Sequence, residues 1–432
     1  MRKEIGKKIK VAILAEEPVG WGSGKHYFPI ILDNYTWKTQ NGIYQIQTVT
    51  VTDKDIINNM LLKESFDVLL IPGGGVGDGA CLTKGFNTIP SVKKWKKNIK
   101  RFIQHGGGFV GICGGTALIT SLVTDCKSKT FVEKQYHKSA IGVSTVKSYY
   151  PHLAFPLFYL KQQKHPERVG AAAYVFSFHP GFTDDGRYLF TAGVPVDFKI
   201  DKYHSFFRGY EKDVLRMRWW GGPGLLLSEE NKRDITVLAS YPEKDFSQQP
   251  ETRIHAWVYV GGLHGLIKGL KKALYFIKNN QYSFTKLFTL LFYFAGDWKK
   301  SKKDINLRVA NKAAIIQETY PNEHKGRMFL CSTHPEYMIW DGGYITERDD
   351  RRFNCIADGF HQWKDIKGFS KDGIKELTST WWVVRRAVAW AAKVPEQDYP
   401  PIEKVNSSDE EVKRLAQDLF WNKRIKSQIE DI

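Results

Sequence analysis

Cysteine is scarce in this chain: five residues, Cys81, Cys113, Cys126, Cys331 and Cys355, in 432. Their number is odd and none pairs at the short spacing of a zinc knuckle. That excludes a disulfide framework and predicts reduced thiols in a cytoplasmic protein without a bound metal. Long hydrophobic runs are missing too. Nothing approaches the ~18 consecutive apolar residues of a membrane-spanning helix. Residues 11–15, behind a basic start, are too few for the core of a signal peptide. Acidic residues are in deficit, 46 against 64 Lys and Arg, which leaves a net charge of +18. Such an excess suits an anionic partner. No nucleic-acid-binding motif accompanies it, so nucleic acid is not expected. The glycine-rich residues 73–79 lack the Lys-Ser/Thr that completes a phosphate-binding loop, and no cofactor is expected. There is no internal repeat.

Glycine, by contrast, is concentrated where chemistry needs it. The stretch Gly106-Gly107-Gly108-Phe109-Val110-Gly111-Ile112-Cys113-Gly114-Gly115 sets one cysteine between flanking glycines, after a short apolar run. A cysteine leaving a strand and entering a helix is the thiol form of a nucleophile elbow. Small neighbours let the backbone turn sharply, and the N-terminus of the following helix would favour the thiolate. Far downstream, Met328-Phe329-Leu330-Cys331-Ser332-Thr333-His334-Pro335-Glu336 reads as a strand ending in His-Pro-Glu. A thiol nucleophile needs a base, and the base needs a carboxylate to orient it. Cys113, His334 and Glu336 are therefore the candidate triad. Backbone N–H groups of Gly74, Gly75 and Gly114 are the candidate oxyanion donors. The plainer reading is a buried cysteine in a glycine turn and a hydrogen-bonded structural histidine.

Strands and helices alternate through the first 125 residues. Residues 9–15, 44–52, 66–71 and 109–112 read as strands. Helices are predicted over 53–64, capped by Asp53, and from Ser91 to about 105, with Trp95, Ile99, Phe102 and Ile103 inward. Such alternation implies an α/β fold with a mostly parallel sheet and the site at the strands' carboxyl ends. Residues 126–216 show no clear period. Strands follow at 234–241, 254–260, 312–317 and 326–333. An apolar helix is predicted over 379–392, and a charged amphipathic one over 409–426 beyond a proline-rich break.

Residues 261–303 carry nine lysines against Asp297 alone. Leu263, Leu266, Ile267, Leu270, Leu274 and Ile277 keep helical spacing, with lysines elsewhere on the wheel. Such a helix can lie on an anionic membrane surface. It can equally pack on its own domain or on a sister subunit in a homo-oligomer. Arg218-Trp219-Trp220, His179-Pro180 and Trp340-Asp341 are weaker pointers to a ligand site, and His137, His255 and His264 lack metal-ligand spacing.

Together, the Pro72-Gly73-Gly74 strand end, the Gly111-Ile112-Cys113 elbow and His334-Pro335-Glu336 resemble the class I glutamine amidotransferase-like superfamily. Trp220-Gly221-Gly222-Pro223, Val237-Leu238-Ala239-Ser240-Tyr241 and Lys312-Ala313-Ala314-Ile315 make the chain similar to the group of domains found at the N-terminus of biotin-protein ligases. The resemblance covers roughly residues 8–125, 216–260 and 310–395. It implies a three-layer sandwich around a flavodoxin-like sheet. The domain is then discontinuous (1–125, 216–260 and 304–400), with insertions at 126–215 and 261–303 and a helical tail at 401–432. It implies a cysteine hydrolase of a small or peptide-like amide. Glutaminases of this superfamily carry Gln where this chain has Ala117, which argues against ordinary glutamine hydrolysis. The alternative is a non-catalytic binding or regulatory module.

Overall fold

The computed structural model describes residues 5–15, 27–73, 90–123, 141–149, 174–177, 194–219, 222–227, 234–243, 253–258, 297–300, 308–336, 339–341, 376–378 and 380–403, with Ile267, Leu270 and Leu274. Thirteen strands form one mixed sheet. In chain order they are β1 (Ile5–Leu14), β2 (Thr36–Thr39), β3 (Gly42–Val51), β4 (Val68–Ile71), β5 (Gly108–Ile112), β6 (Ser121–Val123) and β7 (Lys147–Tyr149). There follow β8 (Val194–Ile200), β9 (Val214–Trp219), β10 (Gly224–Leu226), β11 (Ile235–Ser240), β12 (Ala313–Thr319) and β13 (Arg327–Cys331). Ten lie side by side as β9-β8-β11-β12-β13-β5-β4-β1-β3-β2, while β10 pairs with β12 and leads through β7 to β6.

The five strands β3-β1-β4-β5-β13 all run parallel. Their apolar runs are continuous rather than alternating. Val11 to Leu14 in β1, Val68 to Ile71 in β4 and Met328 to Cys331 in β13 are all fully buried. Successive side chains on a strand point to opposite faces, so both faces of this block are covered.

The mostly parallel sheet expected from the sequence holds only for this block. Strand β2 folds back on β3, and β13, β12, β11, β8 and β9 are joined pairwise antiparallel. Antiparallel neighbours need only a short return, not a crossover helix. Helices are correspondingly few in the second half of the described chain. Two strands of the main sheet, β7 and β8, come from 126–215, the stretch expected to be an insertion. In β8 the alternation of buried Val196 and Phe198 with exposed Asp197 and Lys199 is the period of a one-sided strand. A separate three-stranded sheet joins 174–177, 253–258 and 297–300, and 339–341 pairs with 376–378.

The described helices are α1 (Tyr27–Leu32), α2 (Asp53–Ile57), α3 (Met60–Lys63), α4 (Pro90–Gln104), α5 (Gly114–Ile119) and α6 (Trp381–Ala391). The single helix expected over 53–64 is broken at Asn59, which takes a left-handed φ of 64°. Its cap is Thr52 rather than Asp53: Thr52 and Asp55 exchange side-chain and backbone hydrogen bonds in a capping box. Helix α4 begins at Pro90, a residue suited to the first helical turn, and packs on α2 and α3. The Asn98 amide donates to the Ile56 and Ile57 carbonyls at 2.8 and 2.9 Å, satisfying the end of α2. As expected, Trp95, Ile99, Phe102 and Ile103 are buried.

Helix α6 matches the apolar helix read from the sequence and packs on β4, β5, β13 and α1. All of its residues are buried, Arg385 and Arg386 included. Arg386 spends its fork on the carbonyls of Pro400, Phe206 and Arg208, and burial pushes its pKa down to about 10. Arg385 donates to the Ile31 carbonyl and to Glu403, and its guanidinium lies 3.8 Å from the Tyr35 ring centroid. Two buried cations are thus matched to acceptors that would otherwise be left dry. The tail helix expected over 409–426 lies outside the described residues.

Candidate active site at the ends of strands β5 and β13

Strand β5 delivers Cys113 into a turn with φ +47° and ψ −109°, a conformation few residues other than glycine adopt. The turn leads at once into α5, with Gly114 as its first residue. Its neighbours explain the glycines. A methyl group on Gly115 would stand 2.0 Å from the Ile71 carbonyl oxygen, and one on Gly111 would stand 2.9 Å from the Thr116 nitrogen. The elbow is pressed against the end of β4, and only residues without Cβ fit there. Strain of this kind persists when the surroundings impose it, and it gathers at functional sites.

Strand β13 supplies the partner. It pairs with β5 as far as Cys331 opposite Ile112, and the Cys113 N–H donates to the Cys331 carbonyl at 2.6 Å. Beyond that rung the two chains diverge, one into α5 and the other through Ser332 and Thr333 to His334. His334 Nδ1 lies 2.8 Å from Glu336 Oε1. A carboxylate only accepts, so the shared proton sits on Nδ1. Both residues are buried, Glu336 completely. Burial works against a charge on the His334 ring. Glu336 and Cys113, the latter through charge and a side-chain hydrogen bond, outweigh it and hold the imidazole well above its ordinary pKa.

The end of β4 closes the group. A methyl on Gly73 would lie 2.6 Å from His334 Cε1 and 3.1 Å from Cys113 Cβ. Gly73 therefore packs against both the thiol-bearing carbon and the imidazole. The turn of His334-Pro335-Glu336 is anchored from α6: Thr380 Oγ1 donates to the Pro335 carbonyl and Trp381 Nε1 to the Glu336 carbonyl, each at 2.9 Å.

A second layer lies behind. A methyl on Gly222 would stand 1.7 Å from the Ser332 carbonyl oxygen. The Gly222 carbonyl accepts from Trp219 Nε1 at 3.0 Å, and Tyr241 Oη donates to the Pro223 carbonyl at 3.0 Å. Burial raises the Tyr241 phenol well above its ordinary pKa, so it stays a donor. Gly222, Pro223 and Tyr241 thus meet behind the strand end that leads to His334.

The structure brings Cys113, His334, Glu336 and Gly114 into one neighbourhood. Gly74 and Gly75 lie outside the described residues. Gly73, marked in the sequence only as part of the Pro72-Gly73-Gly74 strand end, joins this neighbourhood, whereas nothing in the sequence singled out Thr116. Of the basic segment 263–303, Ile267, Leu270 and Leu274 are helical and exposed and 297–300 are strand; the rest lies outside the described residues. So do His137, His179, Pro180, His264 and Trp220. Among the described residues no helix is long and apolar enough to cross a membrane. No protein-family model matches the chain, and no curated protein is similar to it.

Proposed function

We propose that this protein is a cysteine hydrolase of the glutamine amidotransferase-like type, cleaving an amide C–N bond. The observation that carries the reading is a strained Cys113 at a strand-to-helix turn beside an imidazole already paired with a buried carboxylate. The strand order supports it. In order of appearance the parallel strands lie 2-1-3-4-5, the order of flavodoxin-like sheets. The right-handed crossover rule sets α1 on one face and α2, α3 and α4 on the other, which makes a three-layer sandwich.

The chemistry follows from the roles. The Cys113 thiol gives its proton to His334 Nε2 and its sulfur attacks the amide carbon; the carbonyl electrons move onto oxygen, where the N–H of Gly114 and those of Gly74 and Gly75 would stabilise the charge. As the C–N bond breaks, His334 gives its Nε2 proton to the departing amine and leaves a thioester. Water then attacks the thioester and surrenders a proton to His334; the carboxylic acid departs and Cys113 is restored. Glu336 keeps the ring in the tautomer this exchange needs.

Turnover across a panel of small and γ-glutamyl amides tests the proposal. Cys113→Ala abolishes hydrolysis with the fold intact, and Cys331→Ala retains it. Hydrolysis surviving Cys113→Ala, or no hydrolysis by the native protein of any amide it binds, would favour the non-catalytic binding module.

A further inference from the structure

One hydroxyl bridges the elbow and the strand that ends in His334. Thr116, in the first turn of α5, is completely buried. Its Oγ1 lies 2.7 Å from the Gly111 carbonyl and 3.0 Å from the Cys331 carbonyl, and it accepts from the Cys331 N–H at 3.1 Å. Those groups belong to the last rung at which β5 and β13 pair. In a parallel ladder the residue opposite Ile112 shares its N–H and carbonyl with the residues on either side of Ile112, namely Gly111 and Cys113. Thr116 Oγ1 touches both halves of that rung. It also touches the carbonyl that receives the Cys113 N–H. The Thr116 N–H in turn donates to the Cys113 carbonyl at 3.0 Å. One residue is thereby tied to the strand before the nucleophile, to the nucleophile itself and to the strand that ends in His334.

We infer that Thr116 is a positioning residue whose hydroxyl fixes Cys113 against His334. This rests on the catalytic reading above and deepens it. The two strands diverge immediately past this rung, so the rung and the hydroxyl that bridges it set how far the thiol stands from the imidazole. The methyl group of Thr116 fills space in a closed core, whereas the hydroxyl carries the registration. Loss of the hydroxyl removes the group that bridges both halves of this rung, and the elbow then shifts relative to His334.

Thr116→Ser and Thr116→Ala differ only in the hydroxyl, and Thr116→Val keeps the volume without it. The probe is iodoacetamide, with the labelling rate of Cys113 read by peptide mass spectrometry as a function of pH, each variant with and without His334→Ala. We expect Thr116→Ser to label like the native protein. Thr116→Ala and Thr116→Val should label about tenfold or more slowly, with the dependence on His334 gone. A folded Thr116→Ala or Thr116→Val with native rate, native pH profile and full dependence on His334 overturns the inference. Should the valine variant fail to fold, the serine and alanine pair still decides. If native Cys113 is itself slow and indifferent to His334, the catalytic reading fails, and this inference with it. A fast, His334-dependent native Cys113 unaffected by loss of the hydroxyl removes this inference alone.

Discussion

Two cysteines stand at the ends of neighbouring parallel strands, joined by one backbone hydrogen bond, and their surroundings differ in backbone conformation and in the group that faces the sulfur. Cys331 is still in extended β13. Its sulfur lies 3.1 Å from Thr333 Oγ1, and burial pushes its pKa up to about 12 despite that contact. It is a small hydrophobe with a weak donor, packed in the core. Cys113 is one residue past the end of β5, in a strained turn, with His334 beside it and Gly73 pressed against its Cβ. Both are buried. Burial is common to the two; what differs is the backbone conformation and the neighbour presented to the sulfur.

The comparison can be broken most forcefully at Gly115. Alanine there must displace the Ile71 carbonyl. Gly115→Ala should destabilise the fold by about 3 kcal/mol, read from urea unfolding, and should slow Cys113 without changing Cys331. An unchanged midpoint would show that the elbow is not held by β4.

A smaller effect comes from the carboxylate. Glu336→Gln leaves the geometry near native but removes the partner that holds the His334 proton. Labelling of Cys113 should fall about tenfold, because the imidazole loses the carboxylate charge that favours its protonated form beside the sulfur. The stability difference between the native protein and this variant has a defined sign. Because the folded state raises the His334 pKa, the contribution is fully present below the unfolded histidine value of about 6.5. It is lost as pH climbs through the higher folded-state value. Denaturant midpoints taken at intervals upward from pH 6 should therefore converge. A gap that widens with pH would contradict the assignment.

Much of this was legible in the residues. The glycines around Cys113 and the His-Pro-Glu end announced a turn and a histidine paired with a carboxylate, and continuous apolar runs marked the strands buried on both faces. The buried stripe of α4 and the helix α6 followed from their spacing. Other features were written less plainly. The sheet is mixed because its second half returns by antiparallel steps, and nothing in a strand's own pattern states the direction of its neighbour. Strand β8 was hidden because Pro195 and the mixed polarity of the surrounding stretch obscured a short alternation. The break at Asn59 required a left-handed residue that helical periodicity does not reveal. Thr116 looked like an ordinary helix residue; its part depends on a strand more than 200 positions away.

The most direct test of the central claim is the rate of alkylation of Cys113 relative to Cys331 in the native protein, measured in one sample at neutral pH and repeated in His334→Ala. The account predicts Cys113 faster by about tenfold or more, with the advantage collapsing when the imidazole is removed. Equal rates for the two thiols, or an advantage that survives the loss of His334, would contradict it.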